Sequence, residues 1–171
     1  RNSFFFFLIF LSSYSNLDAK NSKDVSNTEV KKKTISHKKS YSLSLVSSKD
    51  GHPVRSGKKS YRFEVRLGDC GKDSGHDDCK KDRQRTELQF KKHQKGKKDH
   101  WYSASIYLPK DYKSVAPVRT TFAQLYEKGW KPILMITDRS GEWLEVGRMW
   151  SGEYVEMKKA LKINDMKGQW I

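Results

Sequence analysis

Three short segments of the sequence carry polar side chains at alternate positions, the spacing that places side chains on one face of a β-strand. The polar residues are Arg85, Glu87 and Gln89 in one segment, Gln124 and Tyr126 in a second, and Arg62, Glu64 and Arg66 in a third. If the strands are neighbours, their polar faces form a groove that can bind a chain rich in hydroxyls and negative charge. The simpler alternative is three solvated strand faces joined by cross-strand Arg–Glu pairs.

The elements that carry these residues are predicted to be β-strands. After Tyr41 the sequence consists of short alternating runs separated by Gly, Pro, Asp and Lys. The runs cover residues 41–47, 60–67, 84–90, 101–108, 119–127, 132–137 and 142–148. No convincing helical period precedes residue 155, so the pattern favours an antiparallel sandwich, jelly roll or barrel. Residues 155–163 fit either one short helix or a further strand.

The run 60–67 shows how such a strand divides into two faces. Tyr61, Phe63, Val65 and Leu67 alternate with polar residues and are predicted to face the core. The polar residues between them are predicted to face away from it, as in an antiparallel sheet with one buried face.

The charge of the chain narrows the class of partner. With 35 Lys and Arg against 20 Asp and Glu among 171 residues, the formal net charge is +15. This balance favours an anionic partner such as nucleic acid, acidic lipid or polyuronate. The length fits one domain at most. An aromatic content of 12% is too high for a disordered chain, so a folded domain is expected.

The first part of the chain is predicted to lie outside the folded domain. Residues 1–19 contain an apolar run followed by a small-residue site, which predicts a secretory signal peptide; a short buried strand or helix is the alternative. The run is too short to span a bilayer, and no other stretch approaches the required length. Residues 20–40 are mostly Lys, Ser, Asn and Thr and predict a flexible basic linker.

Residues 41–171 are predicted to be the N-terminal part of the folded domain, incomplete at its C-terminus. The residues that lead to Ile171 resemble the start of another strand. An incomplete sandwich has an unpaired edge and an uncovered apolar face. Residues 20–171 alone are therefore expected to aggregate or to pack loosely, and cooperative thermal unfolding of that segment would refute this expectation.

An ordered series of motifs resembles one known family. The motifs are Pro-Val-Arg-Ser-Gly-Lys-Lys-Ser-Tyr-Arg-Phe-Glu-Val-Arg at 53–66, Gly-Asp-Cys at 68–70, Asp-Cys at 78–79, Arg-Thr-Glu-Leu at 85–88, Trp-Tyr-Ser-Ala-Ser-Ile-Tyr-Leu-Pro at 101–109 and Phe-Ala-Gln-Leu-Tyr at 122–126. The series, from about residue 52 to 146, resembles the heparin-lyase-like polysaccharide lyases and, more distantly, the alginate and glucuronan lyases. The resemblance implies an all-β fold, an antiparallel jelly roll of the concanavalin-like sandwich type.

The resemblance also implies a reaction, the cleavage of uronate-containing polysaccharides by β-elimination. Arg85 and Gln124 would bind and neutralise the uronate carboxylate, which stabilises the enolate-like transition state. Tyr126 stands where the resembling lyases commonly have His. It would act as the base if cations such as Arg85 lower its pKa from the usual value of about 10, or it would bind sugar. The tyrosine that usually serves as the acid would lie beyond Ile171.

The remaining polar residues of the groove are predicted to contact substrate or to hold the catalytic side chains. The predicted substrate contacts are Arg62, Arg66, Glu87 and Gln89. Glu87 is expected to orient Arg85, because a carboxylate on the same strand commonly forms an ion pair that fixes an arginine side chain. His52, His76 and His100 are alternative bases, although a solvated loop histidine is the simpler interpretation.

Cys70 and Cys79 lie in a loop rich in Gly, Asp and Lys. In an exported protein two cysteines this close predict a disulfide. The loop also holds Asp69, Asp73, Asp77, Asp78 and Asp82, which could bind Ca²⁺ through oxygen ligands. Nearby Lys and Arg side chains neutralise these carboxylates, so a solvated turn is favoured and no cofactor is predicted. The histidines show no metal-ligand spacing.

Together these features predict a secreted or periplasmic, monomeric polysaccharide lyase that acts on an acidic polysaccharide. The alternative is a non-catalytic carbohydrate-binding jelly-roll protein, which Tyr126 at the usual His position favours. A glycoside hydrolase needs two carboxylates across a groove, whereas Glu142 and Glu145 would point to opposite faces of a strand. Nucleic-acid binding is not expected because no binding motif is present, and the mature protein is predicted to have no membrane span.

Overall fold

The computed structural model describes residues 3–7, 12–14, 30–31, 39–73, 76–90, 101–126, 132–150 and 153–171. Two compact units divide the chain, residues 1–107 and residues 108–171. The strands of the first unit are β1 (Ser3–Phe7), β2 (Ser12–Tyr14), β3 (Val30–Lys31), β4 (Leu43–Ser47), β5 (Lys59–Arg66), β6 (Lys72–Asp73), β7 (His76–Asp77), β8 (Gln89–Phe90) and β9 (Trp101–Ser103), with 3-10 turns at Ser48–Asp50 and Cys79–Lys81. The second unit contains β10 (Thr120–Tyr126), β11 (Pro132–Asp138), β12 (Trp143–Trp150), β13 (Glu153–Lys162) and the helix α1 (Ile163–Met166).

Strand β5 is the central strand of the main sheet of the first unit. It pairs antiparallel with β1 on one side and with β4 on the other. Its alternating aromatic, β-branched and polar side chains suit a strand with neighbours on both edges. The 3-10 turn after β4 ends at Gly51, whose φ of 76° lies in the left-handed region that favours glycine. This turn starts the connection that leads the chain to β5.

The first strands of the chain pair with strands that follow later in the sequence. The backbone of β1 pairs with β5, from Ser3 opposite Arg66 to Phe7 opposite Arg62. Strand β2 pairs with β9, and β3 pairs with β8. The predicted boundaries of the signal peptide, the linker and the folded domain stay predictions.

The two buried residues of β5 both lie on its polar face, which was predicted to face away from the core. Ser60 and Glu64 are 0% and 1% exposed, whereas the apolar residues of the other face are half-buried and Leu67 is 80% exposed. The prediction that Leu67 faces the core was wrong, because the strand ends at Arg66 and Leu67 begins a turn with Gly68. A buried carboxylate such as that of Glu64 requires charged or hydrogen-bonding partners.

The predicted strand 84–90 is shorter in the structure, where residues 83–88 are irregular backbone and Gln89–Phe90 form β8. Side chains rather than strand pairing hold the irregular part. Arg85 binds Asp78, and the Thr86 hydroxyl donates a long hydrogen bond of 3.4 Å to the carbonyl oxygen of Glu64. The alternating pattern therefore predicted the wrong local backbone in this segment.

The second unit is an antiparallel meander in the order β10-β11-β12-β13. The turn between β11 and β12 is held by its own side chains: Asp138 Oδ1 accepts the N–H of Gly141 at 2.9 Å, and Ser140 Oγ accepts the N–H of Trp143 at 3.0 Å. Gly141 has a φ of 79°, and a Cβ added there would lie 3.2 Å from the Cβ of Ala116. A larger residue at this turn would be both strained and crowded.

The segment after β13 completes the core of the second unit. Residues 155–163 fitted two interpretations. All but the last belong to a strand that ends at Lys162, and the one-turn helix α1 begins at Ile163. Ile163 and Met166 are each 1% exposed, and Leu108 is 0% exposed. The Gly168 N–H donates to the Leu108 carbonyl oxygen at 2.7 Å, which ties the end of the chain to the start of the unit.

Tyr112 and Asp138 form a buried hydrogen bond in this unit. The Tyr112 hydroxyl donates to Asp138 Oδ2 at 2.7 Å, and the two residues are 3% and 1% exposed. Burial, and then the bond to Asp138, raise the pKa of Tyr112 above its usual value. The folded protein therefore holds this proton at a pH where the unfolded chain has released it.

Stability is expected to fall as the pH rises above about 10, the ordinary tyrosine value, because the unfolded chain then releases a proton that folded Tyr112 retains. Tyr112→Phe should lose about 1–3 kcal/mol at neutral pH, since it leaves one Asp138 oxygen without its partner. The variant should also show a shallower loss of stability between neutral and alkaline pH. Denaturant unfolding of both proteins across this range measures the effect, and parallel curves would contradict it.

The described residues are nearly all β, with two antiparallel main sheets and little helix, so the predicted all-β fold class is confirmed. Neither main sheet closes into a barrel within these residues, and the arrangement is consistent with an antiparallel sandwich or jelly roll. Among the described helices, none has the length and apolar character needed to cross a membrane.

Candidate functional site

Arg85 is held by a buried aspartate. Its Nε donates to Asp78 Oδ2 at 2.9 Å and its Nη2 donates to Asp78 Oδ1, so one edge of the guanidinium is bound at two points. Asp78 is 0% exposed, while the Arg85 side chain is 21% exposed. Two-point binding fixes the plane of a guanidinium, which has further N–H donors on its other edge. Arg85 is therefore a cation of fixed orientation that solvent can partly reach.

A disulfide holds the loop that carries Asp78. Cys70 and Cys79 are bonded as predicted, with their Cα atoms 5.0 Å apart. Cys79 directly follows Asp78 in the sequence, and the Asp78 N–H donates to the carbonyl oxygen of Gly71 at 3.0 Å. The bridge and the backbone together place the carboxylate that orients Arg85.

Removing the disulfide is expected to destabilise this loop. The double variant Cys70→Ser/Cys79→Ser should lose about 2–3 kcal/mol of unfolding free energy, because the bridge no longer restricts the unfolded chain. Urea unfolding measures the loss, with the reduced wild-type protein as the matched control. If the wild-type protein unfolds at the same urea concentration with and without reductant, the bridge does not stabilise the fold.

On the polar face of β5, Glu64 lies between two arginines. Its Oε2 accepts from Arg62 Nη2, and its Oε1 accepts from Arg66 Nε at 2.6 Å. The Glu64 side chain is 2% exposed, against 16% for Arg62 and 45% for Arg66. The three side chains alternate along one strand, so the spacing that predicted a shared face also produced this ion cluster.

Arg66 is held from a second side by Tyr41 and Asp69. Its guanidinium carbon lies 3.6 Å from the centre of the Tyr41 ring. The Tyr41 hydroxyl donates to Asp69 Oδ1 at 2.7 Å, and Asp69 Oδ2 accepts the Arg66 backbone N–H at 2.7 Å. The bond to Asp69 raises the pKa of Tyr41, and the bond to Glu64 raises the pKa of Arg66. Tyr41 is therefore kept neutral and Arg66 charged.

The charges of the first unit's polar cluster are paired. The cluster consists of Arg62, Arg66 and Arg85 with the buried carboxylates of Glu64, Asp69 and Asp78. The structure thus brings two predicted substrate contacts together on Glu64 and places the predicted catalytic arginine on Asp78. Each arginine is fixed by protein contacts before any ligand binds, a condition for precise anion recognition.

Gln124 lies in the middle of β10, in the second unit. Its partner across the strands is Met135, and the row continues through Gly147 and Met157. Residues directly opposite one another share a face of the sheet. Met135 is 2% exposed, and a Cβ at Gly147 would lie 1.6 Å from Met157 Sδ, so the Met157 side chain occupies the space above the glycine. Half-buried Gln124 therefore has a buried methionine directly opposite it, and the apolar surface continues across the sheet to Met157.

The other predicted site residues are placed only in part. Tyr126 ends β10 opposite Pro132, after a register shift that follows Leu125. Such irregularities are frequent next to active sites. The side chains of Tyr126 and Gln89 lie outside the described residues, and Glu87 is half-buried in the irregular segment. The roles predicted for these three residues stay predictions.

Asp78 was not predicted as the partner of Arg85. The sequence suggested only a solvated or calcium-binding loop, and the available signal was an aspartate next to a cysteine of the predicted disulfide. Asp77, in the same loop, accepts the Lys80 N–H at 3.1 Å. In the part of the chain that the structure describes, no group of three or more His, Cys, Asp or Glu side chains is arranged to hold a metal ion. The expectations about calcium and cofactors remain untested.

A family model described as polysaccharide lyase matches residues 19–171. The matched range includes the disulfide loop with Arg85 and the strand that carries Gln124. Comparisons with curated proteins and with solved structures gave no match. Because the family model covers most of its length, the chain belongs to the polysaccharide lyase family.

Proposed function

We propose that this chain acts on an acidic, uronate-containing polysaccharide and cleaves it by β-elimination. Membership of the polysaccharide lyase family supports a lyase in general. The net charge of +15 favours an anionic substrate. The fixed arginines of the first unit, although paired, offer oriented N–H donors to such a substrate. The observation that carries the proposal is the buried, two-point ion pair between Asp78 and Arg85. It orients the guanidinium, whose remaining N–H donors can bind a carboxylate.

In the reaction that the motif resemblance implies, Arg85 and Gln124 bind the uronate carboxylate. Their N–H groups donate to its oxygens and stabilise the negative charge that develops when the neighbouring C5 proton is removed. An arginine that is already oriented stabilises this charge without reorganising during the reaction. The half-buried Gln124, directly opposite buried Met135, meets the same requirement, because an apolar surrounding strengthens its hydrogen bonds.

Proton transfer completes the elimination. A base removes the C5 proton, the electron pair forms the C4–C5 double bond, and the bond from C4 to the glycosidic oxygen breaks. The leaving oxygen then takes a proton from an acid. Tyr126, two residues after Gln124, is the proposed base. A cation placed beside its hydroxyl would be needed to favour the ionised form.

The finer assignments follow from the same reasoning. The motif series supports the heparin-lyase-like group within the family. The Cys70–Cys79 disulfide supports export to an oxidising compartment, either secreted or periplasmic. We propose that the exported protein acts as a monomer.

A substrate panel tests the proposal. The complete protein is incubated with alginate, glucuronan, heparin and hyaluronan, and with neutral dextran as the matched control, while chain length and new reducing ends are measured. We expect at least one acidic polysaccharide to be shortened and dextran to be left intact. Cleavage of dextran at a similar rate would contradict the assigned substrate class.

A second candidate function, non-catalytic carbohydrate binding, is favoured by one observation, the tyrosine at position 126 where resembling lyases commonly have histidine. The same panel separates the two functions. Binding of an acidic polysaccharide without any shortening would support the binding protein and exclude the lyase.

A further inference from the structure

Two lysines of β13 converge on one tryptophan of β12. Lys159 Nζ lies 5.4 Å and Lys162 Nζ lies 5.5 Å from the centre of the Trp143 ring. Both distances are within the range of about 6 Å at which an ammonium group is attracted to the face of an indole. The three residues, here called the Trp143 cluster, all belong to the second unit.

A β-bulge brings the two lysines to the same face. Glu145 pairs with Lys159 and Leu144 pairs with Leu161, so Ala160 is an extra residue without a partner on β12. In a regular strand, residues three apart point to opposite faces. The extra residue reverses this alternation and lets Lys159 and Lys162 both reach Trp143. Bulges redirect side chains in this way next to functional sites.

The two ammonium groups have no acidic partner among the described residues. Both lysines are exposed, and Glu145, although directly opposite Lys159, makes no ion pair with it. The neighbouring Lys158, by contrast, pairs with Glu156 at 2.9 Å. Two like charges held beside one ring repel each other, and a bound anion would relieve the repulsion.

The tryptophan is oriented so that its face, not its polar edge, meets the lysines. Trp143 is half-buried, and its Nε1 is buried with no acceptor among the residues that the structure describes. The face of the indole ring is thus a platform that two exposed ammonium groups contact. An ammonium group carries three donors, so each lysine can bind an anion while it remains near the ring.

The cluster shares a sheet face with Gln124. Trp143, Glu145 and Gly147 alternate along β12, and Gly147 belongs to the same cross-strand row as Gln124. From strand spacing and rise, Trp143 lies roughly 16 Å from Gln124 across the sheet. A polysaccharide chain that reached both positions would span the separation with several sugar units.

We propose that the Trp143 cluster is a second binding site for the acidic polysaccharide, which holds a uronate carboxylate between Lys159 and Lys162 several sugar units from Gln124. The nature of the ligand rests on the proposed function, whereas the existence of an anion site rests on the geometry of the cluster. The site anchors a long substrate chain and makes no contact with the reacting sugar.

The test compares two double variants of the complete protein that remove the same charge. Lys159→Gln/Lys162→Gln changes the cluster, while Lys110→Gln/Lys113→Gln changes exposed lysines elsewhere in the second unit. Calorimetry measures the dissociation constant for alginate as the polyuronate probe and for a uronate disaccharide. We expect the cluster variant to bind alginate about tenfold more weakly, because it loses two exposed ion pairs with the polysaccharide. The control variant should bind alginate within about twofold of the wild-type protein, and the disaccharide should not distinguish the two variants.

Equal affinity of the cluster variant and the wild-type protein for alginate would overturn the proposal, as would equal weakening in both double variants or the absence of any alginate binding. The measurement is of binding alone. A protein that binds alginate through the cluster but cleaves no polysaccharide would support this site and refute the proposed lyase activity, so the two failures are distinguishable.

Discussion

Replacing Gln124 by alanine is expected to lower kcat/KM for the elimination by about 10²- to 10³-fold, the usual effect of removing one donor that stabilises a developing negative charge. The loss should fall mainly on kcat, because the amide binds the carboxylate most strongly when the C5 proton is leaving. Steady-state kinetics on the best substrate of the panel measure both constants.

Thr121, which lies on the same strand, provides a matched control for Gln124. It is exposed, and Thr121→Ala should leave kcat/KM within about twofold of the wild-type value. Gln124→Ala should retain the unfolding free energy of the wild-type protein to within about 1 kcal/mol, since the strand pairing with Met135 is made by the backbone. A Gln124→Ala protein that is folded and as active as Thr121→Ala would remove Gln124 from the proposed mechanism.

Replacing Arg85 by alanine is expected to destabilise the fold by about 3–5 kcal/mol, because it leaves the Asp78 carboxylate buried without its charge partner. Asp78 is 0% exposed, and Arg85 binds both of its carboxylate oxygens. The effect should exceed that of Asp78→Asn, since the Arg85 side chain is 21% exposed and can turn toward water. Urea unfolding of the two single variants measures this asymmetry.

The double variant Arg85→Ala/Asp78→Asn separates stability from catalysis. Removing the buried charge together with its partner should restore most of the stability lost in Arg85→Ala. Elimination activity should stay as low as in the single variant, because no guanidinium is present to bind the uronate carboxylate. Recovery of activity together with stability would mean that Arg85 is a structural residue.

The period-two pattern predicted most of the strands, because alternation follows directly from the pleat of a sheet. It failed where side chains outweighed strand pairing. Residues 84–88 alternate like a strand, yet the contacts of Arg85 and Thr86 hold them as irregular backbone. It also failed at Leu67, where a turn ended the strand one residue early. In both cases a local side-chain contact or turn outweighed strand pairing, and the alternating pattern carries no information about such contacts.

The site could be predicted only as residue types, and its positioning contacts could not. Arg85 and Gln124 were recognised through the motifs that contain them. Asp78 was missed because its partner lies across a loop rather than at strand spacing. Lys159 and Lys162 were missed because residues three apart in a regular strand point to opposite faces of the sheet. The bulge at Ala160, which places both lysines on one face, has no sequence signal of its own.

The most direct test of the account is the ultraviolet absorbance of the products formed from acidic polysaccharides by the complete protein. β-Elimination creates a double bond conjugated with the uronate carboxylate, so the account predicts absorbance that rises in step with chain shortening and is lost in Gln124→Ala. Chain shortening without this absorbance would show that the bond is broken by hydrolysis, and would contradict the proposed reaction.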